Sequence, residues 1–476
     1  MLNSIYSHSM LVSIITIVYS LVVVSVLVIT LRKSLRAKNV QESIATWALF
    51  GFIINILSAS TYYVTLPIVG VSSALAFFLI TVVVLLISIT CSMLYGFVGV
   101  INFKFTNKYL LRLFAVSVAV VFVEIVRSYV LTLLLWGGGS TLGAHMSSWT
   151  FGEVLASSPL VSFAYIGGVF ILAGVLVFCI GLFVYPIKKF VKIGLCITVI
   201  AVSIFIGEFP KPLDVVKPIT VAIVQTSFPR IDDSKDRNIV FRERHNSMRP
   251  LIMSLASSTP DIIVLPEDSR FITSQSAKES EELSIIFPDT IFIDGTTRKA
   301  SDGRKNTSVL FDSKTTETVL RDKGFLFPFG EYVPYIVQPI IQLFAGTKLV
   351  ATYQSVHEYS AGVLPRSEQT RFGKVGILIC SEINSFTSVH SLRTTNPDIV
   401  FLQSSLAWGH NNPYLTMEYV FSAKIAAAML RKPVITVVNY GPSFVVNSSS
   451  RTLFFKESQL SVAVFRVEGN TIRQLK

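Results

Sequence analysis

The first 207 residues are little but long apolar runs, and this asymmetry decides what the chain can fold into. A helix needs about 20 mostly apolar residues to cross a bilayer. Six runs qualify, near 9–31, 46–64, 72–100, 113–136, 160–185 and 190–207. The third is long enough for one tilted helix or for a helix plus an interfacial piece. The first does not read as a signal peptide: its apolar run is too long, no Lys or Arg precedes it, and no small-residue cleavage site comes after it. From Glu208 onward the chain changes character. "GEFPKPLDVVKP" reads as a connector, and the residues beyond it mix polar and apolar types as a globular domain does. With 51% hydrophobic and 15% charged residues, the 476-residue chain is too apolar for an ordinary soluble protein. The expected architecture is a multi-pass α-helical membrane domain over 1–207, a linker over 208–217 and an α/β domain over 218–476. That last part is long enough to bury a core of its own.

Loop charges orient the spans. Arg32, Lys33, Arg36 and Lys38 follow the first run. Lys104, Lys108 and Arg112 lie between the third and fourth, and Lys188, Lys189 and Lys192 between the fifth and sixth. The alternate loops, near 65–71 and 137–159, carry neither Lys nor Arg. Positive charge stays on the cytoplasmic side, so both termini are expected outside. The net charge of +12 is therefore read as a topology signal. No interleaving of Arg or Lys with aromatic residues points to nucleic acid. Within the fourth run, Glu124 and Arg127 share one helix face. Charges at that depth are paired structurally or serve a function, here a lipid headgroup or a docking partner.

The cysteines are Cys91, Cys179, Cys196 and Cys380. Three lie in apolar runs and act as small apolar residues. Cys380 is alone in the second half, at the break between the run "VGILI" and the polar "SEIN". A cysteine there is either a small hydrophobe at a strand end or a thiol kept for its chemistry. A lone thiol in a non-reducing compartment favours the second reading. One Cys and scattered His do not make a zinc pattern, and no metal or cofactor is expected.

The second half alternates strand-like and helical stretches. Strands are expected at 219–227, in 261–269 stopping at Pro266 and Glu267, at 291–297 and 306–312, in 317–324 ending near Lys323, in 375–380 ending at Cys380, and at 398–405 and 433–441, with helices near 240–257 and 414–432. This is an α/β pattern. Glu267, Lys323 and Cys380 each stand just past an apolar strand. Together they suit covalent acyl chemistry. The carboxylate takes the thiol proton, the thiolate attacks, and the ammonium holds the oxyanion.

The wording around them adds a resemblance. "VLPEDS", "DKGFLFPFGEYVP" and "GILICSE" match the ordered Glu–Lys–Cys pattern of the nitrilase superfamily. "FPFGEYVP" resembles its membrane-bound branch, the apolipoprotein N-acyltransferases. "VAIVQTS", "KNTSVLFD", "YSAGVL" and "RKPVITVVNYGPS" fall in the family's order, as do membrane segments such as "VEIVRSYVLTLLLWG". The resemblance implies a four-layer α-β-β-α nitrilase-like domain on the outer face of a bacterial cytoplasmic membrane. It implies a phospholipid acyl donor, a thioester on Cys380, and the α-amino group of an S-diacylglyceryl-cysteine apolipoprotein as acceptor. Glu267 would be the base, Lys323 the oxyanion holder, Glu331 the group that positions Lys323 or assists proton transfer, and Glu382 a functional carboxylate. Phe329, Tyr332 and Trp408 are taken as substrate-binding, with Trp408 equally suited to the core. A monomer is expected. The apolar stretch 335–350 is either core or an interfacial lid.

The chain departs from the pattern in several places. Ser381 follows the nucleophile where the family usually has Tyr, "SSLAWGH" replaces the usual Trp-containing stretch, and "VQTS" lacks the Trp that often comes next. The chain stops at Lys476 without the usual final span. These departures bear on the acceptor and the lipid donor. A membrane-tethered carbon–nitrogen hydrolase with water as acceptor and an inactive binding protein remain as alternatives. Six spans and an intramembrane ion pair exceed what a tether needs.

Overall fold

The computed structural model describes residues 2–59, 73–105, 108–147, 149–208, 218–230, 236–273, 277–347, 359–409, 412–456, 459–469 and 471–475. Its first half contains α1 (Leu2–Arg36), α2 (Val40–Ala59), α3 (Ser73–Lys104), α4 (Tyr109–Leu134), α5 (Ala164–Val184) and α6 (Lys189–Glu208). The described residues hold six helices long and apolar enough to cross a membrane. Hydropathy marks the apolar part of a helix and not its polar end, so α2 starts at Val40 rather than 46. There Glu42 accepts from the Lys38 N–H at 2.8 Å. Residues 60–64, 65–71 and most of the expected linker lie outside the described residues. In α4 the buried positions Leu113, Val116, Val120, Val123, Arg127 and Leu131 recur every three or four residues. Phe114, Val118, Phe122, Ile125, Tyr129 and Leu133 occupy the exposed face. That stripe packs α4 between α3 and α5 and turns apolar side chains toward lipid.

The second half contains β1 (Ile219–Gln225), α7 (Arg237–Met253), β2 (Ile262–Val264), α8 (Ala277–Ile286), β3 (Ile291–Ala300), β4 (Gly303–Asp312), β5 (Thr318–Asp322), α9 (Gln338–Ala345), β6 (Ser367–Thr370), β7 (Gly373–Ile379), α10 (Phe386–Thr394), β8 (Ile399–Ser405), α11 (Pro413–Leu430), β9 (Val434–Asn439), β10 (Ser443–Val446), β11 (Thr452–Lys456), β12 (Ser461–Glu468) and β13 (Thr471–Gln474). Every expected strand and helix of this half is present. The strands form a seven-stranded sheet, β13-β12-β1-β2-β3-β4-β5, and a six-stranded sheet, β11-β10-β9-β8-β7-β6. Their centres, β1-β2-β3 and β7-β8-β9, are parallel.

Strand period two sorts the core. In β1, Val221 and Ile223 join the cluster that contains Ile377 and Ile379 of the other sheet. Ala222 and Val224 face Met248, Ile252 and Leu283 of α7 and α8. Gln225 and Gln403 cross between the sheets, donating at 2.9 Å to the Val438 carbonyl and at 2.7 Å to the Leu265 carbonyl. With α10 and α11 on the far side of the second sheet, the layers run α-β-β-α. The chain is a multi-pass helical membrane domain followed by an α-β-β-α sandwich.

The two halves touch directly. α11 packs against α1 and α5, with Tyr414 edge-on to Tyr19 at 6.0 Å. Gly168 breaks α5 at φ +64, and a Cβ there would lie 2.7 Å from the Phe386 ring. Glycine is needed at that point for both reasons. Val337 and Ile341, in the 335–350 stretch, pack with Leu79 and Val83 of α3, Leu131 of α4 and Leu135 just past its end. Tyr335, Ile336 and Leu343 stay exposed. The stretch therefore lies against the ends of the membrane helices, and residues 348–350 fall outside the described set.

Candidate active site

Cys380 immediately follows β7, and the chain turns at once into a short 3-10 helix, Cys380–Asn384. The turn puts Cys380 at φ +49, a left-handed conformation that L residues adopt only under constraint. Glu382 supplies the constraint. Its carboxylate accepts from the Ile379 N–H at 2.8 Å, the Gly324 N–H at 2.7 Å and Arg321 at 2.6 Å. It thus fixes the Cys380 turn against the Lys323 loop, and does so while fully buried. Ser381 adds a stitch, donating to the Phe325 carbonyl at 3.1 Å.

The Cys380 thiol contacts the Glu267 carboxylate and the Tyr419 hydroxyl, the latter at 3.1 Å. Asn306, in mid-β4, donates to Glu267 at 2.7 Å and to Glu331 at 3.1 Å. Lys323 donates to Glu331 at 2.8 Å, and the Phe327 N–H donates to the same oxygen at 2.7 Å. Glu267, Lys323, Glu331 and Cys380 therefore form one cluster, with Glu382 behind it holding backbone.

Burial pushes the Cys380 thiol up to about 12, and the neighbouring Glu267 charge adds to this while Lys323 opposes it. The resting thiol is therefore protonated. Burial likewise raises Glu267, against the pull of Lys323. Burial works against the charge on Lys323, but Glu331, Cys380 and Glu267 outweigh it and raise its pKa. Lys323 stays an ammonium, the form an oxyanion needs. A base must be deprotonated to act, so acylation of Cys380 is expected to fall as pH drops through a point above the ordinary glutamate range. No loss from Lys323 is expected between about pH 8 and 10, because its folded pKa is raised. The single-turnover rate measured against pH checks both limbs.

The other expected residues take different places. Phe329 is half-buried and packs with Phe325 and Phe327 on the apolar cluster that holds Leu131, Leu135 and Val83 of the membrane helices. Trp408 lies 5.6 Å from the Phe327 ring, on the same wall. The Tyr332 hydroxyl donates to the Leu135 carbonyl at 2.8 Å, tying the Glu331 loop to the end of α4.

The loop after α4 closes the site from the membrane side. Ser147 donates to the Asn384 carbonyl at 2.6 Å and accepts from the Phe386 N–H at 2.8 Å. The Ala144 N–H donates to Thr387 at 2.8 Å, His145 bonds Ser385 at 2.8 Å, and the His145 ring stacks on Phe325. Burial lowers His145 to about 4, so it is neutral here. Asn306, Arg321, Tyr419, His145 and Ser147 were not legible as site residues. Asn306 lies in "KNTSVLFD", which was read only as a strand in the family's order, and the others sit inside an element or a span-connecting loop. Among the described residues no group of His, Cys, Asp and Glu could hold a metal ion.

No family model matches the chain. It is 23% identical over 285 residues to an apolipoprotein N-acyltransferase of Rhizobium rhizogenes, covering 55% of this chain and 51% of that one. Against an apolipoprotein N-acyltransferase of Allorhizobium ampelinum it is 25% identical over 283 residues, 56% of this chain and 51% of that one. The chain resembles the apolipoprotein N-acyltransferases. It spans about half the length of the curated relatives it matches. Among solved structures, XC1258 of Xanthomonas campestris, a CN-hydrolase superfamily protein, aligns at TM-score 0.38 and 11% identity over 53% of this chain and 91% of that one. A nitrilase-superfamily amidase of Nesterenkonia aligns at TM-score 0.38 and 12% identity over 52% and 90%.

Proposed function

We propose that this chain moves an acyl chain from a membrane phospholipid onto Cys380 and then onto the N-terminal amine of an S-diacylglyceryl-cysteine apolipoprotein. One observation carries the reading. The Lys323–Glu331 loop of the Glu267–Lys323–Cys380 cluster carries Phe325, Phe327 and Phe329, which pack in the same apolar cluster as side chains of α3 and α4. A site built for small soluble amides gains nothing from such an apolar loop, whereas an acyl chain leaving the bilayer needs one.

The steps balance on these groups. Glu267 takes the Cys380 proton as sulfur bonds the ester carbonyl carbon, and Lys323 faces the developing oxyanion. The C–O bond breaks, and the proton passes from Glu267 to the departing lysophospholipid oxygen. The acceptor amine then bonds the thioester carbon and gives its proton to Glu267, and the C–S bond breaks as that proton passes from Glu267 to the Cys380 sulfur. Glu331 keeps Lys323 charged, and Glu382 holds the nucleophile turn. The lack of Lys and Arg in loop 137–159 supports a catalytic domain on the outer face of the cytoplasmic membrane. In this reading the protein works as a monomer.

Purified protein incubated with phospholipid in detergent should gain the mass of one acyl chain. Hydroxylamine should remove it, and Cys380→Ala should lack it. A diacylglyceryl-cysteine peptide added next should leave with the chain. Loss of the chain to water, with equal hydrolysis of small amides, would mean a tethered hydrolase instead.

A further inference from the structure

A cluster of cations outside the active site meets the ends of α5 and α6. The Ser162 hydroxyl donates to the Ser203 carbonyl at 2.8 Å, so the start of α5 and the end of α6 stand side by side at one membrane face. Three basic side chains of the catalytic domain reach that place. Arg393, in the last turn of α10, lies 4.0 Å over the Tyr165 ring and donates to the Tyr165 carbonyl at 2.6 Å. Arg431, just past α11, lies 3.5 Å over the same ring and donates to the Ile206 carbonyl at 2.9 Å. Lys424 donates to the Ser157 hydroxyl at 2.8 Å.

Both guanidinium groups are held against the one Tyr165 ring. The ring attracts both, yet the cations repel each other, and Arg393 helps to lower the Arg431 pKa after burial has done so. Among the described residues no carboxylate pairs with Arg393 or Lys424, and the Tyr165 hydroxyl makes no hydrogen bond. Arg393, Arg431 and Tyr165 are only partly buried. Tyr165 and Ile206 lie near the ends of their spans, Pro159–Val184 and Lys189–Glu208, which is headgroup depth. The neighbouring Ile166 and Phe205 side chains are exposed on the apolar helix surfaces. An ordered set of cations above a lipid-facing surface is suited to an anion that carries acyl chains, and arginine forks fit phosphate oxygens.

We propose that Arg393, Arg431 and Lys424 form a site for the phosphate of a membrane phospholipid, whose acyl chains lie along Ile166 and Phe205. The site is at the end of α10 away from Cys380, so its lipid is held and not deacylated. It does not depend on the acyl-transfer reading, only on the membrane-spanning helices.

Native mass spectrometry of the full chain in detergent tests this. Phosphatidylglycerol should stay bound while diacylglycerol, with the same chains and no phosphate, should not. Arg393→Gln with Arg431→Gln should weaken retention by at least about tenfold, as losing charge-assisted hydrogen bonds implies. Arg393→Lys with Arg431→Lys, which keeps charge but not the fork, should fall between. Equal retention of diacylglycerol by the unaltered protein overturns the proposal, and that comparison needs no variant. So does unchanged phosphatidylglycerol binding in a folded glutamine variant. Displacement of the lipid by millimolar inorganic phosphate would assign the site to free phosphate and overturn its lipid half.

Discussion

Replacing Lys323 by Met should lower the rate of Cys380 acylation by about 10²–10³-fold or more, the cost of removing one preorganised oxyanion donor. The chain position and side-chain length are kept, so the loss reports charge. Stability should fall as well. Lys323 is 1% exposed and faces Glu331 and Glu267, and removing it leaves two carboxylates close together without their cation. Breaking a buried pair from one side costs about 3–5 kcal/mol, less whatever protonation of a carboxylate recovers. A second change separates the two effects. Glu331→Gln added to Lys323→Met removes the orphaned charge, so thermal unfolding in detergent should move back toward the unaltered protein. The acylation rate should not recover. If rate and stability return together, Lys323 serves the fold and not the oxyanion.

Glu267 and Cys380 were legible because each stands at the end of an apolar run that is a buried strand, whereas Lys323 follows an exposed edge strand and stood out through the wording of "DKGFLFPFGEYVP". Their partners were not. Asn306 alternates within β4, where the period says which face is buried and not what lies opposite. Tyr419 sits on a helix so uniformly buried that it shows no distinct face. Arg321 finds Glu382 across 61 positions of chain. The strand expectations stop at residue 441, yet β12 pairs antiparallel with β1 and extends the first sheet from the other end of the chain. No local pattern announces such pairing. The six spans were legible by composition, but their polar ends were not. Glu124 and Arg127 were legible as a pair because a charge within an apolar run is conspicuous. Whether the pair was structural or functional depended on a loop far along the chain.

That loop makes Arg127→Met the second large effect. Arg127 and Glu124 are bonded at 2.7 Å and are both buried, and Tyr95 donates to the other Glu124 oxygen. Losing the guanidinium leaves a carboxylate unpaired inside the bundle, at an expected cost of about 3–5 kcal/mol. The consequence should not stop there. Arg127 also donates to the Thr150 hydroxyl at 2.7 Å, and Thr150 lies 2.9 Å from the Ser147 carbonyl. Ser147 in turn holds the Asn384 carbonyl and the Phe386 N–H, one step beyond the nucleophile turn. Glu124→Gln with Arg127→Met removes the charge imbalance but not the missing donor to Thr150. Such a pair of neutral residues is often tolerated where a half-broken ion pair is not. Unfolding of the double variant should therefore return most of the way while acylation of Cys380 stays slow, with the lipid concentration for half-maximal rate little changed. Full recovery of both would confine the ion pair to holding the helices together. A rate that stays low in a stable protein would show that a charge pair in the membrane bundle sets the geometry of the thiol.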